Sequence, residues 1–258
     1  MVFDMGMASA DRLRQITDAV RAAEELSVAE LAALTGCSEM TIRRDLETLS
    51  DQGVLERFRG GARTLLLRGE EPPFALRAQE GLEVKRRLAA EVAALIADGE
   101  SVVIDSGTTC LEVARSLTGR RLTVMPLSLH AANAMTGGTR LTLLLPGGQP
   151  RPGELALTGP LALASLAALR FDTAVISCCG LTASDGLTAY DLGDAAIKQA
   201  AITSSRRVIA VAEAAKFSRT ALAHVAPLSA LDAVVTEESA PDTATEALAA
   251  AGVTVRKV

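Results

Sequence analysis

The stretch Ser38-Glu-Met-Thr-Ile-Arg-Arg-Asp-Leu-Glu-Thr-Leu49 decides how the N-terminal part of this chain folds. Its apolar residues Ile42, Leu46 and Leu49 are spaced four and three apart, so they lie on one face of a helix and can pack against a core. Ser38 suits the N-cap, and the helix is expected to run to about Ser50. The opposite face carries hydroxyl, guanidinium and carboxylate groups, which suit a polar partner.

Two more helices are predicted before this stretch. Apolar residues recur at helical spacing over 10–26, which predicts the first helix. Ser27 stands three residues before Glu30, as in a capping box, and predicts the start of a short second helix. Gly36 suits the left-handed conformation that ends such a helix. Two helices joined by three residues that include a glycine form a helix-turn-helix.

A β-hairpin is predicted after the third helix, which Gly53 is expected to end. Residues 54–58 and 62–66 are short segments with strand character on either side of Gly60-Gly61. Two such segments around a glycine turn indicate a hairpin. In this position the hairpin would be the wing of a winged helix-turn-helix.

The third helix and the wing together predict a DNA-binding surface. The N-terminal residues of a recognition helix face base edges in the major groove, where arginine bonds guanine and threonine contacts a base, a phosphate or a thymine methyl group. A solvated helix face with internal ion pairs, such as Arg43 with Glu47, explains the charges equally well. The candidate DNA-binding residues are Ser38, Met40, Thr41, Arg43, Arg44, Arg57 and Arg59.

The segment 38–46 resembles the signature helix of the DeoR family of bacterial repressors. Residues 28–32 (Val-Ala-Glu-Leu-Ala) fit the second helix of that family, and residues 57–62 (Arg-Phe-Arg-Gly-Gly-Ala) are similar to its wing motif R-x-H-G-G-A, with arginine in place of histidine. The resemblance is continuous over the first seventy residues. It implies a protein that binds double-stranded operator DNA and represses transcription.

The pattern changes beyond the wing. Residues 67–80, which include Pro72-Pro73, break every period and are expected to form a linker. A helix is predicted over 84–96, and short apolar runs then alternate with helical segments, which predicts a mostly parallel sheet with helices on both faces. The runs cover residues 102–105, 122–125, 141–145, 173–178, 208–211 and 233–235. The predicted organisation is α/β, with a winged helix-turn-helix at 1–66, a linker at 67–80 and an effector-sensing and oligomerisation domain at 81–258.

The first strand of the second domain leads into Asp105-Ser-Gly-Thr-Thr109. A small, hydroxyl-bearing loop that begins a helix favours an anion, because free backbone N–H groups and the helix dipole both attract negative charge. Phosphate is the expected ligand. A plain connection whose threonines cap the helix fits the same residues.

DeoR-type sensor domains resemble ribose-5-phosphate isomerase and bind phosphorylated sugars or related metabolites, and D-x-G-T-T is one of their phosphate-facing loops. Further family motifs match at 128–133, 147–148, 171–172 and 186–188, at Lys198, and at Lys216-Phe217. The resemblance therefore implies an effector site. Its candidate residues are Asp105, Gly107, Thr108, Thr109, Ser128, Gly148, Lys198 and Lys216.

Two lysines of this set have different alternatives. Lys198 lies one helical turn after Asp194, so a surface ion pair explains it as well as a ligand contact does. Lys216 follows a strand end, where open α/β sheets bind ligands, and is the favoured phosphate contact.

The chain departs from the family pattern at three of these motifs. The family's T-N-S, G-A-D-G and A-D-S-S-K-F stand here as Pro126-Leu-Ser128, Ser177-Cys-Cys-Gly180 and Ala212-Glu-Ala-Ala-Lys-Phe217. Several polar groups that would bond a sugar are apolar here. The departures favour a ligand that is smaller, less hydroxylated or differently charged than a usual sugar phosphate, or a weakened control by ligand.

Composition limits the remaining function classes. The net charge of −5 argues against a surface that attracts nucleic acid everywhere, so DNA contact must be local. Four cysteines without a C-x-x-C pair and two histidines offer few ligands, so no metal or cofactor is expected and the cysteines are expected to be reduced and buried. No run approaches the roughly eighteen apolar residues of a membrane span and the N-terminus lacks a signal layout, so a cytoplasmic protein without membrane contact is expected.

Two other functions fit parts of the sequence. An isomerase would need a carboxylate base, and Asp105, Asp194 and Glu213 are available, but none lies in the isomerase's own catalytic motif. An architectural DNA-binding protein would not need base-reading side chains. The sequence therefore favours a regulator rather than an enzyme, which reads operator DNA as a homodimer or higher even oligomer and responds to a small phosphorylated effector.

Overall fold

The chain forms two compact units, and the boundary between them lies between Glu80 and Gly81. The structure is a computed structural model that describes residues 9–51, 54–64 and 71–258. The expected helix end at Gly53, the end of the predicted wing at 65–66 and the first residues of the predicted linker, 67–70, lie outside the described residues.

The first unit is a helix-turn-helix followed by a hairpin, as the sequence predicts. Its elements are α1 (Ser9–Ala23), β1 (Glu25–Ser27), α2 (Val28–Thr35), α3 (Glu39–Asp51), β2 (Leu55–Phe58), β3 (Gly61–Thr64) and α4 (Phe74–Gln79). The capping box begins α2, since the Ser27 Oγ accepts from the Glu30 N–H at 3.2 Å and the Glu30 carboxylate accepts from the Ser27 N–H at 2.8 Å. Gly36 ends this helix in the left-handed conformation, with φ 68°.

One apolar core holds the three helices and the hairpin together. Ile42, Leu46 and Leu49 of α3 are buried in it, against Ile16 of α1 and Leu31 of α2. This confirms the orientation that the spacing in α3 predicts, with the polar face turned outward.

The first helix is shorter than the sequence predicts. It ends at Ala23 rather than at residue 26, because Glu24 has a φ of 67° and the chain then continues as β1. Antiparallel pairing of β1 with β3 aligns Leu26 with Ala62, so the hairpin gains a third strand. The prediction of helix over 24–26 was therefore wrong.

The predicted linker contains a helix. Phe74 and Leu76 of α4 are buried, and Leu76 joins the core of the first unit. The Arg77 guanidinium donates to the Pro72 carbonyl at 2.7 Å and lies 3.0 Å from the Glu71 carboxylate. Pro73 stands at the N-cap of α4, and the apolar residues after it form a helix because Leu76 has a core to pack against.

The second unit is a parallel sheet covered by helices. Its helices are α5 (Leu82–Ala94), α6 (Thr108–Leu117), α7 (Leu129–Met135), α8 (Pro160–Ala168), α9 (Leu192–Thr203) and α10 (Asp242–Ala250). Its strands are β4 (Ser101–Ile104), β5 (Thr123–Pro126), β6 (Thr142–Leu143), β7 (Gln149–Pro150), β8 (Leu157–Thr158), β9 (Phe171–Ser177), β10 (Gly180–Thr182), β11 (Gly186–Ala189), β12 (Ser205–Ala212), β13 (Ala223–Ala226), β14 (Ala233–Thr236) and β15 (Thr254–Lys257).

The main sheet has the strand order β15-β14-β12-β9-β4-β5-β6, and every neighbouring pair is parallel. Alternate strand residues point to opposite cores: Val102 and Ile104 face α5, α6 and α7, whereas Val103 faces α8 and α9. This confirms the predicted α/β class, and each of the six predicted apolar runs overlaps a strand of this sheet.

The sequence did not indicate β15 or a second, antiparallel sheet with the strand order β10-β11-β13. Their strands are short and contain glycine, threonine, histidine, arginine or lysine, so they lack the continuous apolar runs that revealed the other strands. They leave the main prediction intact, because the carboxyl ends of β4, β5, β9 and β12 still meet along one edge of the main sheet.

Candidate functional site

The outward face of α3 is polar and open to solvent. Met40 is 73% exposed, and Glu39, Arg43, Arg44 and Glu47 are exposed as well. Because these residues are spaced three and four apart, they form one surface opposite the buried leucines. An exposed methionine amid charged groups adds an apolar contact that a base-reading surface can use.

The hydroxyl groups at the start of α3 bond to each other. The Thr41 N–H donates to the Ser38 Oγ at 3.2 Å, and the two side-chain oxygens lie 2.9 Å apart. Ser38 therefore caps the helix as predicted, and Thr41 is half-buried beside it. Both hydroxyl groups remain within reach of the outward face.

The charged residues of the DNA-binding prediction form surface ion pairs. Arg43 bonds Glu39 at 2.9 Å, so the suggested pairing of Arg43 with Glu47 was wrong. Glu47 instead lies 3.9 Å from Arg57 of the hairpin, which brings that arginine alongside α3. Such exposed pairs contribute little to stability, so the arginines remain available to other anions.

Asp45 has a structural position, although it belongs to the same sequence signature. Its carboxylate accepts from the Arg12 Nε at 2.6 Å and from the Arg12 Nη2 at 3.1 Å, and the two side chains are 8% and 15% exposed. This bidentate pair ties α3 to α1.

In the second unit, Asp105 follows β4 at the carboxyl edge of the sheet and is 1% exposed. Its Oδ2 accepts from the Ser177 N–H at 2.8 Å and from the Ser177 Oγ at 2.7 Å, and it also bonds the Lys198 Nζ. The other carboxylate oxygen is buried without a hydrogen-bond partner among the described residues. Asp105 therefore links β4, β9 and α9.

Lys198 is buried, so the predicted surface ion pair is a buried one. Its side chain is 1% exposed and its Nζ lies 3.5 Å from Asp194 in addition to its bond with Asp105. Burial lowers the pKa of Lys198, but the charges of Asp105 and Asp194 raise it more, so the pKa stands well above the ordinary lysine value. The lysine is thus a permanent cation between two carboxylates.

Gly107, Thr108 and Thr109 begin α6 next to this cluster. Gly107 has a φ of 97°, which favours glycine, although a Cβ there would make only an ordinary contact with the Ser177 Oγ at 3.4 Å. In the described part of the chain, no side chain caps α6, so the N-terminal N–H groups of this helix are without a side-chain cap. The Thr109 Oγ1 donates to the Glu213 carboxylate at 3.3 Å.

Two lysines lie near Glu213, Lys216 in sequence and Lys85 in space. Lys216 is the third residue of the short 3-10 helix Ala214–Ser218, which follows β12. Its side chain is half-buried. Lys85 of α5 is 2% exposed, with its Nζ 3.9 Å from the Glu213 Oε1. The sequence analysis missed Lys85, although its spacing was a signal. Lys85 stands three, four and seven residues before Leu88, Ala89 and Val92, so it lies on the buried face of α5.

Ser128 and Gly148 have roles in their own loops. The Ser128 Oγ caps α7 by accepting from the Ala131 N–H at 3.2 Å. Gly148 has a φ of 93°, and a Cβ there would lie 2.4 Å from the Thr158 carbonyl oxygen, which only glycine avoids. The contacts described for these two residues do not join them to the cluster around Asp105.

The replacements after β5 and β9 belong to the core, whereas Ala214 is half-buried and Ala215 is exposed. Leu127, Cys178 and Cys179 are buried, at 1%, 6% and 6% exposure. Burial raises the pKa of Cys178 to about 12. All four cysteines are free, with Cys37 partly exposed and Cys110 buried. The polar part of the carboxyl edge is thus concentrated around α6 and the end of β12.

Two features are absent from the residues that the structure describes. Among them, no group of three or more histidine, cysteine, aspartate or glutamate side chains is arranged to hold a metal ion. None of the described helices is long and apolar enough to cross a membrane.

Two family models match consecutive parts of the chain. The DeoR-like helix-turn-helix domain matches residues 12–65, and the DeoR C terminal sensor domain matches residues 80–238. Together they span the α3 surface and the carboxyl edge described above.

Relatives match along nearly the whole chain. The HTH-type transcriptional regulator GlpR of Haloferax volcanii is 32% identical over 253 residues, covering 96% of this chain and 98% of that protein. The glycerol-3-phosphate regulon repressor of Escherichia coli K12 is 30% identical over 236 residues, covering 91% and 93%. Among solved structures, ribose 5-phosphate isomerase A of Methanocaldococcus jannaschii overlaps 54% of this chain and 55% of that chain, with a TM-score of 0.41 and 14% identity.

Proposed function

The chain belongs to the DeoR family of transcription regulators, and from that premise we propose that it represses an operon of carbohydrate or related metabolism until a phosphorylated metabolite releases it. The chain is a regulator and not an enzyme. The names of relatives that refer to a glycerol-3-phosphate regulon support a phosphorylated effector.

The DNA-binding part of the proposal rests on the outward face of α3. Met40, Thr41, Arg43 and Arg44 would face base edges in the major groove, because they lie in the first half of the helix on its exposed side. Ser38 would contact the backbone at the helix start. Arg57 and Arg59 of the hairpin are exposed and would bind phosphates.

The observation that carries the effector proposal is the start of α6 at the carboxyl edge of the sheet. An uncapped helix N-terminus that begins with Gly107, Thr108 and Thr109 favours an anion, and Lys216 stands at the end of a nearby strand. Ligands of open parallel sheets bind at this edge. We assign Asp105 and Lys198 to positioning this loop, since both side chains are buried in their mutual ion pair.

Operator binding requires two copies of the chain. One recognition helix reads only a few base pairs, so two heads about one DNA turn apart are needed for useful specificity. We therefore expect a homodimer or a higher even oligomer. The effector would act by favouring one arrangement of the two heads over the other, which requires it to bind the two states unequally.

Fluorescence anisotropy on labelled DNA tests the proposal. The purified chain is titrated at one salt concentration with the region upstream of its own operon and with a scrambled duplex. We expect tighter binding to the upstream region, reversed by one of glycerol 3-phosphate, ribose 5-phosphate or glucose 6-phosphate but not by its unphosphorylated form. Equal affinity for both duplexes would refute the DNA part, and equal release by the unphosphorylated compound would refute the phosphate part.

A further inference from the structure

Lys85 is a buried cation that the function has not yet used. It lies on α5 with 2% of its surface exposed, on the same face as Leu88 and Ala89, which are fully buried. A charge on the core face of a helix is costly unless charged groups accompany it. Glu213 is one neighbouring acid, and its Oε1 lies 3.9 Å from the lysine Nζ.

Glu213 stands where three elements meet. It follows β12, its Oε1 accepts from the Thr109 Oγ1 of α6 at 3.3 Å, and its Oε2 would lie 3.5 Å from a Cβ placed on Gly81 at the start of α5. Its side chain is 24% exposed, so a ligand at the carboxyl edge can reach it.

We infer that Lys85 is a further binding residue for the effector's phosphate and that the Glu213 carboxylate occupies its anion position until the effector arrives. The inference rests on the proposed function, because it needs a phosphate at the start of α6. A phosphate there would need the Thr109 hydroxyl as a donor, and that hydroxyl already donates to Glu213. Two anions cannot share this donor and the Lys85 ammonium without strong repulsion, so the phosphate displaces the carboxylate.

The displacement changes what the start of α5 packs against. Gly81 is the N-cap of α5, and its carbonyl accepts from the Lys85 N–H at 2.9 Å. Along the chain, Gly81 directly follows Glu80, the last residue of the first unit. A change of partner at Lys85 and Glu213 therefore acts on the turn of helix that follows the DNA-binding unit, which gives effector binding a route to the regulator's output.

Titration calorimetry of the full chain with glycerol 3-phosphate and with inorganic phosphate tests this inference. Lys85→Met removes the cation while keeping an unbranched side chain, and we expect it to weaken the binding of both probes by about tenfold or more, as loss of one charged hydrogen bond does. Lys85→Arg keeps the charge and should retain most of the affinity. Lys257→Met is the matched control. It removes a lysine of the edge strand β15 that pairs with Asp242 of α10, and it should bind as the wild type does.

Glu213→Gln tests the exchange separately. Removing the competing negative charge should tighten phosphate binding several-fold, and weaker binding in this variant overturns the exchange. Wild-type affinity in a folded Lys85→Met variant overturns the assignment of Lys85 while leaving the proposed function standing. If the wild-type chain binds neither probe, and its operator complex responds only to unphosphorylated compounds, both the inference and the phosphorylated effector fail.

Discussion

Asp105 and Lys198 form an ion pair whose two side chains are 0% and 1% exposed, although they are 93 residues apart in the chain. The pair joins the end of β4 to α9, and Ser177 at the end of β9 bonds both partners, with 2.9 Å between its Oγ and the Lys198 Nζ. Three elements that border the start of α6 are therefore held by one charged cluster. Its role in the architecture is to fix Gly107 and the start of α6.

Lys198→Met should destabilise the second unit by about 3 to 5 kcal/mol, the usual effect of breaking a buried ion pair. The variant leaves the Asp105 and Asp194 carboxylates buried near each other without a cation between them. Chemical denaturation followed by circular dichroism measures the change.

The double variant Lys198→Met with Asp105→Asn is the control for that experiment. It removes one of the two stranded carboxylates, so it should recover part of the lost stability. A single variant as stable as the wild type would show that the cluster does not hold this edge of the sheet together.

Arg44→Ala and Arg43→Ala should each weaken binding to the operator by about 1 to 3 kcal/mol if the replaced arginine bonds a guanine. Arg43 is bonded to Glu39, whereas no ion pair of Arg44 is described among the residues of the structure. Binding is measured by fluorescence anisotropy on specific and scrambled duplexes at one salt concentration. A loss on the specific duplex alone indicates base contact, and an equal loss on both indicates a phosphate contact.

Arg206→Ala serves as the control for these variants, because Arg206 is an exposed arginine of the second unit, with 82% of its side chain accessible. It should leave both affinities unchanged. Wild-type operator affinity in both Arg43→Ala and Arg44→Ala would contradict the assignment of α3 as the recognition helix.

Local rules predicted the parts of this fold that depend on neighbouring residues. The capping box at Ser27 and Glu30, the buried face of α3 and the hairpin turn at Gly60 each arise within a few residues, so the sequence alone indicates them. The strand β1 was missed because its three residues have meaning only when paired with β3, more than thirty residues later.

In the candidate site, too, neighbouring residues predicted some features, whereas others depend on residues far away in the chain. The spacing of Asp194 and Lys198 predicted their ion pair, but only the distant Asp105 makes that pair a buried one. Asp45 likewise follows the signature arginines, yet its partner Arg12 lies 33 residues earlier and makes it structural. Lys85 became recognisable only when Glu213 was placed beside it, although a lysine on a core-facing helix position was already unusual.

The cysteines should differ sharply in their reactivity. Cys37 is partly exposed, whereas Cys110, Cys178 and Cys179 are buried, and burial raises the pKa of Cys178 to about 12. The thiolate is the reactive form, so at pH 8 a folded chain should expose one reactive thiol to Ellman's reagent and four after denaturation. Cys37→Ser should remove the reaction of the folded chain, and rapid reaction that persists in this variant would contradict the buried positions.

Asp172 gives a pH-dependent contribution to stability that Ser101 controls. Hydrogen bonds from the Ser101 N–H at 2.9 Å and from the Ser101 Oγ at 2.7 Å lower the pKa of Asp172 below its ordinary value. A carboxyl group whose pKa is lowered by folding stabilises the folded state above its unfolded pKa of about 4, and this stabilisation is lost as the pH falls through the folded value.

Ser101→Ala removes the hydroxyl donor, so the pKa of Asp172 should rise, as measured by NMR titration of its carboxyl carbon. The stability difference between wild type and variant should then be largest near pH 7 and shrink as the pH falls below about 4. It should reach its minimum below the lowered pKa of Asp172 in the folded wild type, where Asp172 is protonated in both chains. A difference that stays constant down to the acid end of the titration would show that the hydroxyl acts through packing and not through the charge of Asp172.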